Sequence, residues 1–298
     1  MSEGAGVEQP VRAARRDNTP LGIIYMLGAT VAFSASSAIS KWQVASYPIG
    51  EVLFIRTLTS LFVCALLILP ATGLAVFHTR RLRDHVFRGV SQATSQAFIV
   101  IAFSLMPLAG AVAINFSAPL FATLVSALVL KEAVGIARWG ALITGFIGVL
   151  IVVAPGADSF QIGAVFALAN AVMYGSVTAA VRGMTATESA GTLTMYQMVV
   201  LTLAFSLLLP LGFTVPNAID GTLMITNGAA NAFGQYWWTR ALHLAPASAV
   251  TPFYYFSLVW ATAIGFAVWG DVPTIGLIVG STIVVGSGLF LLWRESRR

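Results

Sequence analysis

With 298 residues, 58% of them hydrophobic and only 9% charged, the chain cannot cover the surface of a soluble fold, where roughly 25% charge is ordinary. A mean hydropathy of +0.87 makes lipid its solvent and excludes an ordinary soluble enzyme. The net charge of +5 is then a matter of orientation in a bilayer, and no nucleic-acid partner is expected.

Residues 1–20 are polar and lack an apolar h-region, so they read as a disordered cytoplasmic tail rather than a cleaved signal peptide. Ten apolar runs follow, bounded by Pro, Gly or charge: 21–40, 50–72, 88–106, 109–130, 136–154, 161–181, 191–213, 220–242, 247–268 and 273–293. The expected fold is therefore an all-α integral membrane protein of ten spans with short connections. Residues 294–298 form a basic tail. The one cysteine, Cys64, lies in an apolar run and reads as packing.

Basic residues orient the spans. Arg12, Arg15 and Arg16, the Arg80–Arg88 cluster, Lys131, Arg138, Arg182, Arg240, Arg294, Arg297 and Arg298 fall on one side if the N-terminus is cytoplasmic. That side holds 14 of the 16 Lys and Arg, leaving Lys41 and Arg56 towards the other. Both termini are expected in the cytoplasm.

The chain repeats itself. QATSQAFIVIAFSLMP (Gln92–Pro107) aligns with NAFGQYWWTRALHLAP (Asn231–Pro246) at an offset of 139, with Gln96 on Gln235 and Gln92 facing Asn231. The first and sixth runs align at an offset of 141, placing Phe33 on Tyr174 and Lys41 on Arg182; Glu132 matches Asp271. Two halves of five helices result, 21–154 and 161–293. Five is odd, so the second half enters from the opposite side and the repeat is inverted. That symmetry marks alternating-access transporters with a midplane site. Gln96 and Gln235 each lie eleven residues before a Pro, about 16 Å deep at 1.5 Å per residue. Gln92, Gln96 and Ile99 share one helix face, as do Asn231, Gln235 and Trp238.

Ten helices in an inverted five-plus-five repeat resemble the drug/metabolite transporter superfamily, specifically its EamA-type exporters, over nearly the whole chain from about residue 21. Arg56 within EVLFIRTL carries the likeness. So do AVAINFSAPLFATLVSALVLKE (Ala111–Glu132), its partner AVTPFYYFSLVWATAIGFAVWGD (Ala249–Asp271), and the Gly-rich fifth and tenth runs. Length and aromatic content are most similar to YddG-type exporters of aromatic and other neutral amino acids. The resemblance implies a bacterial inner-membrane protein that works without cofactor or metal. It touches a small-molecule solute and membrane lipids, as a monomer or a homodimer.

The candidate cavity wall comprises Gln92, Gln96, Asn115, Asn231, Gln235 and Trp238 with the aromatics Phe33, Tyr174, Tyr196, Tyr254 and Tyr255. Each also has an ordinary packing role open to it. Arg56 aligns with Gln197, so only one half carries the cation. It reads as a structural cation, snorkelling to lipid headgroups or paired with Glu51 as a gate brace, with a substrate carboxylate as the other partner open to it. Trp42, Trp139, Trp269 and Trp293 read as interface-belt residues. Gly276 and Gly280, and the group Gly140, Gly145 and Gly148, read as close helix packing within the monomer or across a dimer. No acid lies at mid-depth, and the first run lacks the Glu that small multidrug members of the superfamily use. Downhill transport or exchange of neutral amino acids is therefore expected. A lipophilic drug, nucleoside or purine is the alternative. An intramembrane enzyme would need paired acids or a nucleophile with a base at depth, and none is present.

Overall fold

The computed structural model describes residues 18–128, 136–153, 158–181, 184, 187–245 and 247–296. Among these, all regular structure is helical. Helix α1 (Thr19–Gln43) starts two residues earlier than expected, because Asn18 caps it by accepting the Leu21 N–H at 3.2 Å and Pro20 fits the first turn. Residues 18–20, expected in the tail, therefore belong to the helix and its cap, and residues 1–17 lie outside the described residues. Helix α2 (Ile49–Thr72) runs into a single 3-10 turn, Gly73–Phe77. Helix α3 (Leu82–Leu105) begins six residues ahead of the expected span. Counting apolar residues stops at a charge; backbone hydrogen bonding does not.

The fourth apolar run is two helices, α4 (Leu108–Asn115) and α5 (Ala118–Leu128). Pro119 has no N–H to give the Asn115 carbonyl, and the Ser117 N–H turns to Ile114 at 2.9 Å, so the α-helical ladder lapses between α4 and α5. Next come α6 (Ile136–Val153), α7 (Asp158–Val181), α8 (Ala190–Ser206) and α9 (Ala218–Leu244). The ninth run breaks as well, into α10 (Ala247–Val250), a 3-10 turn Thr251–Tyr255 holding Pro252, and α11 (Phe256–Trp269). At the repeat offset Phe116 corresponds to Tyr255, so both halves break at equivalent places. Helix α12 (Ile275–Ser296) continues through residues 294–296, which the sequence assigns to a tail.

Among the described residues, four helical stretches are long and apolar enough to cross a membrane: Thr19–Gln43, Ile49–Phe77, Ala190–Leu211 and Pro252–Trp269. Large apolar side chains such as Ile24, Phe62, Leu66, Ile147, Leu203 and Phe266 face outward, as lipid requires and water would penalise.

The halves interlock. Helix α1 packs on α9, α3 on α7, α2 on α8 and α9, and α6 on α12, each contact joining one half to the other. These helices divide into two mixed groups, α1, α2, α9 and α10–α11 on one side and α3, α4–α5, α7 and α8 on the other, with the α2–α8 and α4–α11 contacts crossing the seam between them. Gly148 and Gly280 bring α6 and α12 together within the chain: a Cβ on Gly280 would stand 2.6 Å from the Gly148 carbonyl oxygen and 2.8 Å from the Val152 nitrogen. Gly280→Leu is expected to lower the unfolding midpoint in detergent, with an overpacking cost of about 1–3 kcal/mol. An unchanged midpoint would show that this contact is not made.

Candidate functional site

Between the two groups lies a polar cavity in which the centre of a water molecule can occupy about 180 Å³. Ten of the expected residues line it: Phe33, Arg56, Gln92, Gln96, Asn115, Tyr174, Asn231, Gln235, Trp238 and Tyr254. The repeat relates eight of them as pairs, Phe33 with Tyr174, Gln92 with Asn231, Gln96 with Gln235 and Asn115 with Tyr254; Trp238 pairs with Ile99, which lines it too.

The walls differ. One is an amide wall, held rigid across three helices. Asn170 on α7 donates to the Asn115 oxygen at 2.6 Å and accepts the Ser95 hydroxyl of α3 at 2.7 Å. The other is aromatic: Phe33 meets Tyr254 edge-on at 6.4 Å, Phe116 meets Tyr254 edge-on at 5.8 Å, and Trp238 lines the same side. Sequence reading missed Asn170, whose repeat counterpart is Ala29, and also Phe116 and the hydroxyls of Ser34, Ser37 and Ser257.

The amides divide by engagement. Gln96 accepts from the Arg56 guanidinium and Asn231 donates to Ser60 at 3.1 Å. Among the described residues, the side-chain amides of Gln92 and Gln235 have no hydrogen-bond partner in the protein, yet both line the cavity. The engaged pair lies towards the Lys41 end of the bundle. The free pair lies one helical turn towards the Arg88 end.

At the Lys41 end, the ammonium donates to the Met106 carbonyl at 2.7 Å, lies 3.9 Å from the Asp271 carboxylate and sits 5.1 Å above the Trp269 ring. Trp269 is therefore a partner of Lys41 as well as a span-end residue. The repeat counterparts Arg182 and Glu132 lie outside the described residues. In the adjoining loop Tyr47 donates to Asp220 at 2.7 Å, and that bond raises the phenol above its ordinary range. Only two hydrogen bonds described run directly from α1 or α2 to α3 or its cap, Arg56–Gln96 and Lys41–Met106. Both lie towards this end.

Three expected residues do not reach the cavity. Tyr196 lies six residues into α8, at the Arg88 end. Its hydroxyl donates to the Phe77 carbonyl at 2.7 Å and its ring stacks on His85 at 4.4 Å. Burial holds that imidazole below its ordinary pKa, against the pull of Glu188. Tyr255 turns away from its neighbour Tyr254, with its ring on Phe116 at 4.9 Å and its hydroxyl over Gly288 of α12. Glu51 is no brace for Arg56: one oxygen accepts the Thr214 N–H at 2.8 Å and the other has no partner. Arg56 instead binds Ser40 at 3.4 Å and Gln96. Of the Trp residues inside spans, Trp260 donates to Thr30 at 3.1 Å and Trp237 packs over Gly28.

A polar, aromatic-walled cavity between interlocked helical repeats with a lipid-facing exterior defines a membrane transporter. The chain belongs to the EamA-like transporter family, whose pattern matches residues 20–154 and again 161–293. It is 28% identical to a riboflavin transporter of Rhizobium johnstonii over 100% of this chain and 97% of that one. It is 22% identical to an S-adenosylmethionine uptake transporter of Rickettsia conorii, covering 93% and 94% of the two chains. A pseudopaline exporter of Pseudomonas aeruginosa is 28% identical over 89% and 93%. A solved crystal structure shares the fold with a TM-score of 0.64 at 20% identity, covering 91% of this chain and 97% of the other.

Proposed function

We propose that this protein is an alternating-access carrier for a flat, heteroatom-rich metabolite of the riboflavin type. The observation that carries this reading is the pair of unengaged amides, Gln92 and Gln235, in a cavity with one aromatic and one amide wall. The aromatic wall takes a ring face, and the amides take its polar edge. The full-length relative named for riboflavin supports that solute. The amino-acid export expected from the sequence is the narrower alternative. It fits the aromatic wall but leaves an ammonium group without a carboxylate among the described lining residues. The relatives named above include both an uptake carrier and an exporter, and no described lining residue is acidic. The solute gradient would then set direction.

In this reading α4 with α5, and α10 with α11, each make one crossing, so ten crossings leave both termini in the cytoplasm of an inner-membrane protein. The Lys41 end is then external. The Lys41–Met106 and Arg56–Gln96 ties at that end and the free amides towards the other support a carrier open to the cytoplasm, in which the Tyr196–Phe77 bond joins α8 to the turn after α2 at the cytoplasmic rim. The moving parts are the two mixed helix groups, since each joins helices from both sequence halves.

Counterflow in proteoliposomes tests the reading. Vesicles preloaded with unlabelled solute are offered labelled riboflavin or tryptophan without an ion gradient. Wild type is expected to accumulate riboflavin. Gln235→Ala should weaken apparent affinity about 3–10-fold with folding intact, because that amide holds no protein partner. Accumulation of tryptophan alone would replace the flavin reading with the amino-acid one.

A further inference from the structure

We propose that the Arg56–Gln96 contact is a tie operated by the solute: an acceptor group of the solute, carboxylate or ring carbonyl, displaces the Gln96 oxygen from the Arg56 guanidinium. Arg56 is then the specificity-determining residue of the central cavity. This rests on that cavity being the transport site, as argued above, but not on the solute being a flavin.

Three features of the structure carry the assignment. Arg56 is 6% exposed, lines the cavity, and keeps its Nε–H buried without a partner. A guanidinium has five donors in a fixed fork, and here they meet only neutral oxygens, those of Ser40 and Gln96. Among the described residues no carboxylate pairs with it. Glu51, the acid on the same helix, is turned to the Thr214 backbone. A buried cation without a counter-ion carries an unmet desolvation penalty, which an arriving acceptor relieves. The Gln96 amide oxygen stands where such an acceptor would bind, and an amide is a weaker acceptor for a guanidinium than a carboxylate is.

The position of the tie gives the exchange a second consequence. Arg56 belongs to α2 and Gln96 to α3, in opposite helix groups, and the contact is one of the two described hydrogen bonds that run from α1 or α2 to α3 or its cap, both towards the Lys41 end. A solute entering from the Arg88 side meets the free Gln92 and Gln235 amides first and the guanidinium last. When its acceptor takes Arg56, it breaks one of the two described links at the far side and leaves Lys41–Met106 as the other. Recognition and opening thus share one hydrogen bond. A solute lacking the acceptor would enter and leave without opening that side.

Equilibrium binding of labelled solutes to the full chain in lipid nanodiscs tests this with two matched pairs. Tryptophan and tryptamine differ by a carboxylate; alloxazine and phenazine are both flat tricycles, and only the first has a carbonyl edge. Wild type is expected to favour the acceptor member of at least one pair by about tenfold or more. Arg56→Gln should abolish that preference. Gln96→Glu, which supplies a standing counter-ion and keeps the arginine, should abolish it too. Gln96→Leu removes the competitor and should keep or sharpen it. A merely structural contact would make Gln96→Leu behave like Arg56→Gln, and that result overturns the proposal. So does a wild type without preference in either pair, or a preference that survives Arg56→Gln. If tryptophan is favoured over tryptamine while alloxazine does not bind, the flavin reading falls and the Arg56 assignment stands.

Discussion

Replacing Lys41 with methionine is expected to open the Lys41 end of the cavity. The ammonium makes three interactions at once, with the Met106 carbonyl, the Asp271 carboxylate and the face of Trp269. Methionine keeps much of the apolar stem and removes all three. It also leaves Asp271 without its cation, and the carboxylate oxygen nearest Lys41 has no hydrogen-bond partner. The two side chains are 13% and 28% exposed, so part of the ion-pair energy is screened by solvent. Only the Met106 bond crosses to the other helix group, since Trp269 and Asp271 lie at the end of α11, so we expect a loss of about 0.5–1.5 kcal/mol from the closed state, a shift of roughly 2–13-fold in the ratio of the two states. A cysteine placed at Ser37, on the cavity wall, in a Cys64→Ser background reports it. Labelling by an impermeant thiol reagent from the external side should accelerate by that factor in Lys41→Met, and little in Lys41→Arg. An unchanged rate would mean that the contact decorates the closed state without holding it.

The positions of the apolar runs, the internal repeat and the two polar stripes of α3 and α9 were legible in the sequence because each is a pattern in composition or spacing. Gln92, Gln96, Ile99, Gln235 and Trp238 all line one cavity, as one-face periodicity predicts. The helix breaks were less legible. Hydropathy averages over a window and registers neither the lost N–H of Pro119 nor the 3-10 turn around Pro252. Tyr196 and Tyr255 were misplaced for a different reason. An aromatic residue in an apolar run has a residue type but no direction. Tyr255 is one position, about 120° of 3-10 rotation, from Tyr254, and that turns it from the cavity to α12. Tyr196 lies near the start of its helix, where depth rather than face decides. Asn170 gave no signal at all. Its repeat counterpart is alanine, and its partners come from α3 and α4, 75 and 55 residues away in sequence.

That unheralded asparagine has the largest expected effect on the amide wall. Asn170 is 4% exposed and Ser95 is fully buried. Leucine at position 170 matches the volume approximately but strands the Asn115 carbonyl and leaves the Ser95 hydroxyl only the long 3.4 Å bond to the residue-170 backbone carbonyl. Hydrogen bonds between helices in lipid are worth about 0.6–1.7 kcal/mol each, and a stranded buried group adds to the loss. Asn170→Leu is therefore expected to destabilise the fold by about 1–3 kcal/mol, read from the midpoint of denaturant unfolding. Its effect on transport should exceed what that stability loss explains, because Asn115 would no longer be held in the orientation the solute meets. The separating measurement is a double-mutant cycle with Ser95→Ala. A coupling energy of about 0.5–1.5 kcal/mol is expected between two residues in direct contact. Additive effects would show that Ser95 and Asn170 act independently, and the amide wall would then be a set of neighbours rather than one preorganised surface. Coupling in stability together with a loss of affinity would mean that the wall is built by folding before any solute arrives, leaving the solute to do only the work of releasing Arg56.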